Sequence, residues 1–154
     1  MTAPNHALTG ALIGLTISNP AVALPLAFLS HFVCDAIPHY DPPETDKALR
    51  LNSKRFMYEF LFVGAGLCML LVLALAFTRP QHWLTAAVCA FLATSPDLFW
   101  IPRFLHVKRT GQDKPLANPF LKFHSWIQWR TGPKLFWLES VWFMAGVALV
   151  AARL

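Results

Sequence analysis

The sequence predicts an all-α protein, a polytopic transmembrane bundle of about five helices forming one domain over residues 1–154. Three observations carry that expectation. Hydrophobic residues make up 56% of the chain and charged residues only 14%, whereas soluble domains carry about 25% charged residues. Apolar runs of bilayer-crossing length recur along the chain. The basic residues gather in two loops, so the net charge of +5 follows membrane topology and does not point to a nucleic-acid partner. The three cysteines, Cys34, Cys68 and Cys89, lie inside apolar runs without CxxC spacing, which suits small core residues and not disulfides. The N-terminal segment lacks a basic lead-in and a convincing cleavage site, so no cleaved signal peptide is expected.

The first helix is expected over about 6–18, rich in small residues, with Gly10 and Gly14 forming a GxxxG face for close approach to a neighbour. At 1.5 Å per residue it reaches only about 20 Å, short for a full crossing. Asn19-Pro20 turns the chain into a second helix over about 21–37. Pro38 removes a backbone donor and disfavours helix at Ile37, which predicts the helix end there. Residues 38–55 read as a polar loop. A third helix, about 56–77, carries one charge, Glu59, in its first turn. Thr78-Arg79-Pro80 turns the chain into a fourth helix, about 82–105, broken at Ser95-Pro96-Asp97. The second polar loop, 106–133, contains a stretch from Phe120 to Arg130 suited to lie in the interface, aromatics inward and basic groups outward. A fifth helix, 134–152, carries Glu139 as its one buried charge. No internal repeat is visible.

Five crossings put the N-terminus and both long loops on one side of the membrane. Eleven of the thirteen basic residues fall there, against Arg79 and Arg153 on the other side. The positive-inside rule makes the first side cytoplasmic and the C-terminus external.

The stretch Ser30–Asp41 carries the chemistry. His31 and Asp35 are four residues apart, so on a helix they share a face, and His39 follows four further on. Imidazole and carboxylate at that spacing suit a divalent metal, zinc first, manganese or iron otherwise. Polar residues meeting lipid headgroups would explain His39 and Asp41 equally well, but not His31 and Asp35, which lie inside the apolar segment where ionisable groups are costly. The predicted topology brings His6, Asp97, His124, Glu59 and Glu139 to the same leaflet boundary. His6, His31, Asp35, His39, Asp97 and His124 are therefore the candidate metal ligands, and Glu59, Glu139 and Asp97 the candidate catalytic carboxylates. Each has a plainer role open to it. Asp97 suits a helix cap, Glu59 and Glu139 suit first turns where the helix dipole favours a carboxylate, His6 suits a polar N-terminus, and His124 suits headgroup contact.

Asn5-His6 with Gly10 and Gly14, Ser30-His31 with Asp35 and Pro38, Pro96-Asp97, and His124-Ser125 together resemble the small bacterial inner-membrane proteins of the metal-dependent hydrolase-like family, membrane relatives of zinc-dependent phospholipase C. The resemblance implies a helical bundle with His and Asp metal ligands and hydrolysis of an ester or phosphoester. The expected function is a metal-dependent hydrolase acting on a lipid-like substrate at the cytoplasmic leaflet. A non-enzymatic scaffold or small transporter stapled by a structural metal or polar cluster is the alternative. A haem protein fits less well, since paired Asp residues do not suit haem.

Overall fold

The computed structural model describes residues 1–41, 58–113 and 115–154. Most of the expected 38–55 loop and the first two residues of the expected third helix lie outside the described residues. So do the side chains of residues 59–61, and with them that of Glu59.

Pro4 stands in the first turn of α1 (Ala3–Thr16), where its missing N–H costs nothing. Asn19 caps α2 (Pro20–Ala36) by accepting from the Ala21 N–H at 3.0 Å. Ile37 leaves the helix with an extended backbone (φ −75°, ψ 138°), as a residue preceding proline must. A π-helical segment, Tyr58–Gly64, leads into α3 (Ala65–Thr78). Arg79 and His82 turn the chain with positive φ, and α4 (Trp83–Thr94) follows. The break expected at 95–97 is a 3₁₀ segment, Ser95–Trp100, running straight into α5 (Ile101–Thr110). The interfacial stretch forms α6 (Pro119–Ile127), capped by Asn118. A short 3₁₀ turn, Pro133–Leu135, opens α7 (Phe136–Ala151). Among the described residues the one departure from helix and coil is an isolated bridge between His39 and Thr131.

The all-helical expectation holds across the described residues. Two helical runs are long and apolar enough to cross a membrane, Trp83–Thr110 and Pro133–Ala151, while Pro20–Ala36 and Phe62–Thr78 are apolar but shorter. Among the described residues, length and composition thus mark two candidate crossings, and the five expected from the sequence are not confirmed.

The bundle is centred on α1, which packs against α4, α2 and α7. The GxxxG face does what its spacing predicts. A Cβ on Gly10 would meet the Cys89 carbonyl oxygen at 2.3 Å, and one on Gly14 the Ala86 Cα at 2.4 Å. Ala7, Ala11, Ala86 and Ala90 extend this small-residue seam. The other faces of α3 and α7 stay apolar and uncovered, with Met69, Leu70, Phe77, Val141, Met144 and Leu149 all exposed.

Beyond α2, the segment 39–41 runs beside 130–132, with His39 N–H donating to Arg130 O at 3.3 Å and Gly132 N–H to His39 O at 3.1 Å. The Trp129 indole N–H donates to Ala36 O at 2.9 Å. These contacts tie the end of α6 to the end of α2, and so bring His124 within reach of His31 and Asp35.

Candidate metal centre

Four elements each deliver one part of the site. α1 is drawn onto α4 by its glycines, which sets His6 against α2, its ring stacked on His31 at 4.0 Å between centroids. α2 supplies His31 and Asp35 from successive turns, with Asp35 Oδ2 3.3 Å from His31 Nε2. α6 supplies His124, whose Nε2 lies 2.8 Å from the same oxygen and 3.0 Å from His31 Nε2. The 3₁₀ segment supplies Asp97, with Oδ1 3.7 Å from His31 Nε2 and 3.8 Å from His124 Nε2. Two groups of close ligand atoms result, His6 with His31 and Asp35, and His31 with Asp97 and His124.

His6, His31 and His124 are fully buried and Asp35 is 1% exposed, whereas the Asp97 side chain keeps a quarter of its surface. A buried carboxylate among three imidazoles needs donors or a cation. Asp35 Oδ2 accepts from Gln128 Nε2 at 2.8 Å, and Oδ1 faces the Met1 α-amine at 2.5 Å. His6 Nε2 lies 3.1 Å from Asp35 Oδ1 yet makes no hydrogen bond, and its Nδ1 has none either. Buried nitrogens without partners are rare in folded proteins. Donor atoms around a tetrahedral zinc are separated by about 3.3 Å, given bonds of about 2.0–2.1 Å. The separations of 3.1 Å from His6 Nε2 and 3.3 Å from His31 Nε2 to the Asp35 oxygens lie close to that value. The residues fit a divalent metal.

The surroundings orient the ligands. His31 Nδ1 is 2.8 Å from Ala93 O. That carbonyl would take the N–H of residue 96 in the 3₁₀ register, but Pro96 has none to give. Phe32 packs edge-on against both His31 and His124 and walls the cluster off from the far side.

The remaining expected residues go elsewhere. His39 is buried, but its Nδ1 turns onto Ile37 O at 2.8 Å and it joins neither ligand group. Burial pushes its imidazole below the ordinary histidine range. Asp97 faces the imidazoles and caps no helix. Glu139 joins neither ligand group. Its carboxylate accepts from Thr2 N at 3.1 Å, Thr2 Oγ1 at 2.6 Å and Asn5 Nδ2 at 2.7 Å. Glu139 therefore anchors the start of α1, one residue from His6. Glu139→Ala is expected to orphan these donors at about 1–3 kcal/mol each, read as a lowered unfolding temperature in detergent, with a smaller loss for Glu139→Gln.

Gln128 and Trp100 are site residues that the sequence reading passed over. Gln128 repeats the His31–Asp35 signal, standing four residues after His124. Trp100 left no such trace. No family model matches this chain, and neither a curated protein nor a solved structure is detectably similar to it.

Proposed function

We propose that this chain is a membrane-embedded, metal-dependent hydrolase acting on a lipid-like ester or phosphoester at the cytoplasmic leaflet. The observation that supports the reading is the convergence of buried His6, His31 and Asp35, with neither His6 nitrogen in hydrogen-bond geometry. A divalent ion held there, zinc first, with manganese or iron as alternatives, would lower the pKa of a bound water and polarise the scissile group. His6, His31 and Asp35 bind, and the partly exposed Asp97 is the carboxylate placed to take a proton from that water. Lys108 and Arg109 in the last turn of α5, with Lys122 and Lys134, supply attraction for an anionic headgroup. An apolar groove of about 470 Å³ between α1 and α7 begins at Thr9, one turn past His6, and runs to Ile17 and Leu149. Its direction, away from the polar cluster and into the apolar zone, suits an acyl chain of the same substrate. The resemblance to membrane hydrolases agrees with this reading.

Complete burial of the three histidines favours one rival, a structural ion that staples the bundle. Metal content of protein purified in mild detergent, measured beside turnover of a lipid phosphoester panel, separates the two. Asp97→Asn is expected to keep metal and fold while losing turnover at least a hundredfold, within the usual range for a positioned acid–base group. Metal without turnover in wild type would leave the staple, and no metal at all would end both.

The topology is part of the proposal. N-terminus and both long loops lie in the cytoplasm and the C-terminus outside, so reporter fusions at Gly111 and Leu154 are expected to read opposite sides. Agreement between the two would remove the crossing by α7.

A further inference from the structure

We infer that His124 serves this site as a proton-bearing hydrogen-bond donor, not as a metal ligand, and that the Trp100 indole is the positioning group that fixes it so. The cluster distances alone do not distinguish a ligand from a donor, because 2.8 Å to Asp35 Oδ2 and 3.0 Å to His31 Nε2 suit either. The far side of each ring decides. A neutral imidazole has one N–H and one lone pair, and whatever the outer nitrogen does sets the inner one. His31 gives its Nδ1–H to the Ala93 carbonyl, so its Nε2 is a bare lone pair facing the cluster. His124 is the reverse case. Trp100 Nε1 stands 3.1 Å from His124 Nδ1, and an indole nitrogen only donates. Nδ1 must accept, so the proton sits on Nε2, inside the cluster.

The neighbours agree with that placement. Asp35 Oδ2, 2.8 Å away, is an acceptor for it, and Gln128 Nε2 donates to the same oxygen, also at 2.8 Å. The 3.3 Å between Gln128 Nε2 and His124 Nε2 is then the spacing of two donors sharing one acceptor. Trp100 is itself held, with the Arg103 guanidinium over its ring at 5.3 Å from the centroid and Arg103 paired to Asp113.

The consequence, which rests on the metal reading above, concerns the coordination number. With His124 Nε2 protonated, His6, His31 and Asp35 would be the residues left to hold an ion, while Asp97 is partly exposed. Three protein ligands and an accessible further position are what distinguish catalytic from structural zinc. His124 and Gln128 pin Asp35 Oδ2, while Oδ1 faces both the Met1 α-amine and His6 Nε2. Outer hydrogen bonds of this kind orient ligating carboxylates.

Nitrogen-15 NMR of histidine-labelled, full-length protein in detergent reads the tautomers directly, before and after zinc is added. The expected result is a protonated Nε2 on His124 in both states, with zinc-induced shifts confined to Nε2 of His6 and His31. In Trp100→Phe, His124 is expected to move measurably toward the Nδ1–H form, and His124→Gln is expected to retain zinc with a loss of about 10–100-fold in affinity, as for an outer-sphere partner. A zinc-shifted, deprotonated Nε2 on wild-type His124 would overturn the inference. Failure of wild type to take up zinc would instead remove the metal reading, while the tautomer measured without zinc would still decide the role of Trp100.

Discussion

Asp35→Asn is expected to leave the protein without bound metal while Gln128 and His124 keep a partner in the amide oxygen. Asp35 is the acidic group that approaches all three buried histidines, His6 at 3.1 Å, His31 at 3.3 Å and His124 at 2.8 Å. An amide keeps its shape but loses the charge that three neighbouring imidazoles and a dication require. Metal analysis after chelation and reloading reads the outcome, with wild type as reference. Asp35→Ala goes further. It leaves the donors of Gln128 and His124 buried without an acceptor, and breaking a buried charged pair in this way costs about 3–5 kcal/mol. The alanine variant is therefore expected to unfold at markedly lower temperature even without metal, whereas the asparagine variant approaches metal-free wild type. Full metal occupancy in Asp35→Asn would show that the ion, if any, is held elsewhere.

Local spacing made half of this site legible in the sequence. His31 and Asp35 meet because residues four apart share a helix face, and Pro38 forces Ile37 out of the helix, ending it at Ala36, for a steric reason readable from the dipeptide. Gly10 and Gly14 announced a close helix contact, and the Cβ positions at Cys89 and Ala86 bear that out. What the sequence did not reveal depends on pairs far apart in the chain. The Glu139 carboxylate looked like a candidate base because it was the only charge in an apolar run, yet that isolation reflects its use on Thr2 and Asn5, more than 130 residues earlier. Ala93 has no polar side chain to attract notice. It enters the site through its carbonyl, 2.8 Å from His31 Nδ1, at the point where α4 gives way to the 3₁₀ segment Ser95–Trp100. His39 fitted the spacing of the motif but lies past the helix end, where the chain turns to pair with Arg130 and Gly132, so the periodicity that joined it to Asp35 no longer applied. Crossing number is read more coarsely: apolar character identifies helices, length bears on crossings, and among the described residues two helical runs are long enough, so five crossings are not confirmed.

Gly14→Leu is expected to dismantle the site from a distance, with a loss of fold comparable to that of Asp35→Ala. The Cβ of any residue at Gly14 would lie 2.4 Å from the Ala86 Cα, 2.7 Å from its nitrogen and 2.9 Å from the Thr85 carbonyl carbon. All three are backbone atoms, so no side chain can swing aside, and α1 must lift away from α4. That movement separates His6 on α1 from the Ala93 carbonyl that orients His31, so packing and ligand geometry fail together. Gly14→Ala alone is expected to cost about 1–3 kcal/mol or more, the range for overpacking a close contact, and Gly14→Leu to prevent recovery of folded, metal-containing protein. Gly66 is the control. A Cβ there meets nothing within 4 Å, and in α3 alanine has a helix propensity about 1 kcal/mol better than glycine, so Gly66→Ala is expected to be neutral or slightly stabilising. Thermal unfolding and metal content of the glycine variants, measured in one detergent, test the packing. If Gly14→Ala matches Gly66→Ala on both measures, α1 does not lie on α4 in the folded protein, and the placement of His6 beside His31 falls with it.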